Sequence, residues 1–174
     1  MKNIYIPDIY SKDIYSINYT KLKKQNIKCL LFDLDNTIAP EHVKEPTKEI
    51  INHFQKLEEM GFKVIIISNA LKNRVKPFKE KLNIDACHTA CKPLSHKYKK
   101  IMELYSLEPE NIAAIGDQIY TDIKGANKLD ITSILVNPLS NRESIITKIN
   151  RLKEKRLFKK FQKQKILIKG EYYE

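Results

Sequence analysis

At 174 residues, with 42% hydrophobic and 30% charged residues, the chain has enough apolar material for one folded domain, which excludes a wholly disordered polymer. Its longest aliphatic run, Val64-Ile65-Ile66-Ile67, is far short of the ~20 residues that span a bilayer, and the N-terminus lacks a signal peptide's continuous apolar stretch, so a cytoplasmic protein is expected. The net charge of +11 is local: between Lys148 and Lys169 ten Lys or Arg face one acid, Glu154, while the other residues carry 22 bases and 20 acids.

In chain order, the first 27 residues space isoleucines and tyrosines among polar groups, and the expectation is an irregular segment packed on the core, with a helix around Ser16–Lys24. Residues 28–136 then alternate short β-branched or leucine-rich runs with helix-period segments, the pattern of a parallel sheet covered by helices. Predicted strands are Lys28–Phe32, Phe62–Ile67, Ala86–Ala90, Asn111–Ile115 and Thr132–Val136. A helix from about Pro46 to Met60 carries Ile50, Ile51, Phe54 and Leu57 on one face and stops at Gly61. Asn73–Leu82 gives the next crossover, with Pro77 a reason for a kink or late start. Ser95 is placed to cap a helix bearing Ile101, Met102 and Tyr105, and a short helix follows Thr121 to about Asn127. After Pro138, Ser140-x-x-Glu143 fits a capping box that opens a long final helix.

Asp33 and Asp35 directly follow the first of these strands, in Leu31-Phe32-Asp33-Leu34-Asp35-Asn36-Thr37. In extended chain they share a face about 6.6 Å apart at ~3.3 Å per residue, close enough to call for a divalent cation or a shared proton. Ile115-Gly116-Asp117-Gln118-Ile119-Tyr120-Thr121-Asp122 also ends a strand, and ligands of open parallel sheets gather at such carboxyl ends. Four carboxylates there favour a hard cation, Mg²⁺ if phosphate completes its shell. Ser68-Asn69 closes the second strand with a hydroxyl and N–H groups suited to an anion, and Lys92 follows the third. Each alone has a plain reading as turn, cap or surface residue. Acid, hydroxyl, lysine and acid at four successive strand ends are hard to dismiss together.

This ordered set resembles the haloacid dehalogenase superfamily of phosphohydrolases over residues 29 to about 138, and within it the small bacterial YqeG-type phosphatases of subclass IIIA, a group similar to phosphatidylglycerophosphate phosphatases. The resemblance implies an α/β, three-layer Rossmann-like parallel sheet with helices on both faces. It also implies a phosphomonoesterase with Asp33 as nucleophile, Asp35 as acid and base, and Ser68, Asn69 and Lys92 on the phosphoryl group. Mg²⁺ would lie on Asp33, the backbone carbonyl of Asp35 and Asp117, with Asp122 behind them. From Asp33 to Ser68 is 35 residues and from Ser68 to Lys92 is 24, which leaves no room for a cap domain. Capless members resemble enzymes of large or surface-borne substrates. The organisation expected is a 1–27 N-terminal segment, a 28–140 catalytic domain and a 141–174 basic helical extension.

In the final helix, basic residues mix with Ile145, Ile149, Leu152, Leu157, Phe158 and Phe161. Such a helix either lies on an anionic bilayer, giving peripheral contact at the inner membrane surface, or packs on the domain and solvates its lysines. The charge also suits nucleic acid, although no stacking motif surrounds the aromatics. Alternatives to the lipid substrate are a nucleotide, a nucleic-acid end or a phosphoprotein, and, in another class, an RNA- or membrane-binding protein with a vestigial site. Three cysteines without C-x-x-C spacing give no disulfide framework, and Cys87-His88-x-x-Cys91 lacks a fourth ligand for zinc.

Overall fold

A computed structural model describes residues 3–140 and 145–174, with side chains from 151 onward in the last helix. Six strands form one parallel sheet: β1 (Ile9–Ser11), β2 (Cys29–Phe32), β3 (Lys63–Ile67), β4 (Asp85–Cys87), β5 (Ile112–Gly116) and β6 (Thr132–Val136). Their order is β1-β6-β5-β2-β3-β4. The helices are α1 (Tyr19–Lys24), α2 (Lys48–Glu59), α3 (Lys72–Leu82), α4 (His96–Tyr105), α5 (Lys124–Asn127) and α6 (Ile145–Lys163), with a π-turn over Ile119–Ile123 leading into α5.

Strand alternation explains the layers. Leu30, Phe32, Val64 and Ile66 join the core that Tyr19, Phe54 and Phe78 of α1, α2 and α3 complete. Cys29, Leu31, Ile65 and Ile67 point the other way, onto Tyr98 and Ile101 of α4 and Ala126 of α5. Both faces are covered, so the strands read as near-continuous apolar runs. The three-layer α/β architecture without a cap is as the sequence implied. Beside the second core, Tyr10, Leu135 and Ile123 pack with Phe161 of α6 and with Leu167. The final helix therefore rests part of its apolar face on the domain. Among the described residues no helix is long and apolar enough to cross a membrane.

Three local expectations change. The N-terminal segment contributes a strand, β1, which pairs with β6; three residues in a polar stretch give too short a pattern to read as strand. Tyr10 and Tyr173 exchange two backbone bonds of 2.8 and 2.9 Å, so the C-terminus covers the β1 edge. Ser95 precedes α4 in αR conformation and makes no side-chain cap bond; an N-cap acts from extended backbone, as Thr47 does at α2. The predicted strand Ala86–Ala90 ends at Cys87, and Thr89 has positive φ. The Glu143 half of the capping box lies outside the described residues. Pro77 sits inside α3, which begins at Lys72 without delay.

Candidate active site

The chain runs β2, β3, β4 in one direction along the sheet and then returns to lay β5 on the other side of β2, so β2 and β5 flank the point where strand order reverses. Asp33 leaves β2 there, its N–H still bonded to Ile115 at 2.9 Å. Lys92 Nζ lies 2.6 Å from Asp33 Oδ1 and 2.6 Å from Asp122 Oδ1, with side-chain exposure of only 2%. The other oxygen of Asp122 accepts the Gln118 N–H at 3.0 Å, so this carboxylate ties the lysine to the loop after β5. Gly116 is required beside it, because a Cβ there would meet the Asp122 carboxyl carbon at 2.2 Å.

A second acid–cation–acid group adjoins the first. Arg151 of α6 ion-pairs with the Asp117 carboxylate, donates to the Asp117 carbonyl at 2.6 Å and pairs with Glu154 at 2.9 Å. Glu154 is buried and accepts the Ile119 N–H at 2.6 Å and the Tyr120 N–H at 3.3 Å, holding the start of the π-turn. Thr37 donates to Asp117 Oδ1 at 3.1 Å. Oxygens of Asp33, Asp117 and Asp122 all lie within 4.8 Å of one another. Burial pushes the Asp33 carboxyl up to about 7 against the opposing pull of Lys92, and raises Asp117 well above the carboxylate range despite Arg151. Fully ionised, four buried carboxylates (Asp33, Asp117, Asp122, Glu154) face two cations (Lys92, Arg151), which leaves −2. An all-oxygen donor set with that deficit fits one hard divalent ion.

Asp35 pairs with a different cation. Arg74 Nε donates to its Oδ1 at 2.9 Å, and the same guanidinium reaches the carbonyls of Val43 at 2.7 Å and Pro40 at 3.3 Å. The two aspartates thus have one cation each, and repulsion between them is not settled by a shared counter-ion alone. Ser68 is buried at the end of β3, its Oγ accepting the Ala70 N–H at 3.1 Å. Asn69, expected on the phosphoryl group, turns its side chain to the Lys92 backbone: Lys92 N–H donates to its Oδ1 at 2.7 Å and its Nδ2 donates to the Lys92 carbonyl at 3.3 Å.

A profile of the family described as mitochondrial PGP phosphatase matches residues 1–139. The chain belongs to the mitochondrial PGP phosphatase family. Over 157 residues it is 36% identical to the "Probable phosphatase YqeG" of Bacillus subtilis (strain 168), a match covering 90% of this chain and 91% of that one. It is 21% identical over 160 residues to phosphatidylglycerophosphate phosphatase 1, chloroplastic/mitochondrial, of Arabidopsis thaliana, covering 84% of this chain and 45% of the plant protein, so it spans less than half of that relative. A solved structure described as a HAD superfamily (subfamily III A) hydrolase, from Legionella pneumophila, matches with TM-score 0.50 and 19% identity over 68% of this chain and 70% of that chain, a likeness of fold. This PGP phosphatase family member is thus a phosphatase, a phosphoric monoester hydrolase.

The structure brings Asp33, Lys92, Asp117 and Asp122 together, sets Asp35 beside them, and places Ser68 on the neighbouring strand end. Three participants escaped the sequence reading: Arg74, Arg151 and Glu154. Arg74 looks like any first-turn helix residue. Glu154 had a usable signal, since it is the sole acid in a 22-residue basic stretch, and a lone acid there is explained by a fixed partner.

Proposed function

We propose that the chain removes the terminal phosphate of phosphatidylglycerophosphate, a step of phospholipid biosynthesis, through an aspartyl-phosphate formed on Asp33. The observation that carries the chemistry is the buried Asp33–Lys92–Asp122 group, which fixes a carboxylate and a cation where one phosphoryl group can touch both. Asp33 attacks phosphorus, and Asp35, oriented by Arg74, protonates the departing alkoxide oxygen. In the second half Asp35 takes a proton from water, which attacks phosphorus and frees Asp33 and inorganic phosphate. Lys92 and the Ser68 hydroxyl offset charge on the equatorial oxygens. Asp33, the Asp35 carbonyl and Asp117 would hold Mg²⁺, with Asp122 behind them, and the ion supplies positive charge against the phosphate.

Support for the lipid rests on the family's description, the plant relative's name and the shape of the site. The site has no cap, and Leu71, Leu94 and Leu139 are 67%, 60% and 44% exposed on loops that follow Ser68, Lys92 and β6. Apolar residues on catalytic loops suit a substrate presented at a lipid surface, where the basic helix adds attraction. Hydrolysis of an aryl phosphate is expected to require Mg²⁺ and to vanish in Asp33→Asn; equal rates in both proteins contradict the chemistry. Phosphatidylglycerophosphate in anionic vesicles is expected to be cleaved faster than a soluble analogue; no preference contradicts the substrate.

A further inference from the structure

Between α6 and the carboxyl ends of β5, β6 and β1 lies a cavity of about 520 Å³, a size typical of small-ligand sites. Asp117 forms part of its wall, and the same carboxylate lies within 4.8 Å of Asp33, so the cavity opens beside the nucleophile. Its remaining lining is chemically lopsided. Lys155 and Lys159 of α6 and Lys169 stand around it, and none of the three pairs with an acid among the described residues. Arg151 adds a fourth cation, and only Asp117 and Glu154 oppose them, for a lining charge of +2. Phe158, Leu135 and Val136 give the lining an apolar part, and Asn137 is held in place there, its Oδ1 accepting from the Tyr10 hydroxyl at 2.7 Å and its Nδ2 donating to the Tyr172 hydroxyl at 2.8 Å.

We propose that this cavity is a second anion subsite that takes a phosphodiester carried on the glyceryl leaving group, while the phosphomonoester of the same molecule sits at Asp33. It rests on the reading of Asp33 as the centre of monoester hydrolysis and adds how the rest of the molecule is recognised. A phosphodiester is a permanent monoanion, which matches the cationic surplus, and its glyceryl carbons match the apolar part of the lining. A nucleic-acid strand fits worse, because the concavity is local, walled by one helix, and lacks the continuous groove and row of stacking faces that a strand requires. Lys155 and Lys159, one helical turn apart, place two charges on the same wall. This gives the basic helix a specific task in addition to any general attraction to anionic surfaces.

The test uses the full chain and glycerophosphoglycerol, a diester with no monoester to hydrolyse. Calorimetric titration is expected to show saturable binding that weakens at least ~10-fold in Lys155→Glu/Lys159→Glu. Lys169→Glu, on the segment after α6, is expected to weaken it as well and serves if the double variant fails to fold. Absence of binding to the wild type, or equal binding by the variants, overturns the proposal. Binding of phosphatidylglycerol vesicles without binding of the soluble diester assigns these lysines to a membrane surface and overturns it too, as does displacement of the diester by single-stranded RNA at lower concentration. The titration needs no turnover. A failure of Mg²⁺-dependent hydrolysis would therefore count against the phosphatase chemistry and a failure of diester binding against the subsite.

Discussion

Two acid–cation–acid groups stand side by side at the sheet's carboxyl end, and they solve the same electrostatic problem from different materials. In Asp33–Lys92–Asp122 every member comes from a loop rooted in the sheet, and the lysine side chain is 2% exposed. In Asp117–Arg151–Glu154 the cation and one acid arrive on the C-terminal helix, and the arginine is 21% exposed. The first group is closed off from water and its charges are compensated where they stand. The second depends on how α6 docks, so the cation beside a predicted metal ligand is delivered by an element outside the region that the family profile matches. Burial decides which group is rigid and which is adjustable.

Breaking each group should separate these characters. Lys92→Met leaves two buried carboxylates uncompensated, and a loss of about 3–5 kcal/mol in unfolding free energy is expected by urea titration, with turnover falling by ~10²–10³-fold or more. Arg151→Met should cost less, about 1–3 kcal/mol, because the site is partly open to water. It should also lower the Mg²⁺ concentration for half-maximal activity, since a competing cation leaves Asp117; an unchanged or higher requirement would show that the arginine does not contend with the metal.

A pH experiment asks about both groups together. Burial raises the carboxyls of Asp33, to about 7, and of Asp117 and Glu154 above their unfolded values. Without metal, the folded chain therefore holds protons that the unfolded chain releases. That contribution is fully present below roughly pH 4 and is lost as pH rises through about 7. Thermal melts in EDTA should show falling stability across this window, and added Mg²⁺ should raise the melting temperature at pH 7.5 more than at pH 5. The smallest effect is expected at an exposed pair, Lys81 with Glu45, where Lys81→Ala should change stability by less than ~1 kcal/mol.

The sheet-rooted group was legible in the sequence, because each of its residues follows an apolar run and strand ends are where a parallel sheet gathers chemistry. Asp33, Lys92, Asp117 and Asp122 needed only the order of the strands. Arg151 was not legible, since no local periodicity tells which basic residue of α6 turns inward. Asp35 shows a third kind of limit. The backbone leaves the strand after Phe32 and Asp35 pairs with Arg74, a partner that strand spacing does not predict. Strand β1 was missed for lack of length, and β4 was overextended because nothing in Cys87-His88-Thr89-Ala90 marks the turn that the positive φ of Thr89 makes.

The central claim is that Asp33 carries the phosphoryl group. It is tested most directly by acid-quenching the reaction of the full chain with Mg²⁺ and an aryl phosphate within the first turnover, and weighing the peptide that contains Asp33. A hydroxylamine-labile phosphate on that peptide, absent from Asp33→Asn, is the predicted result. An unmodified peptide under conditions of rapid turnover, or a phosphate held on any other residue, would contradict the account.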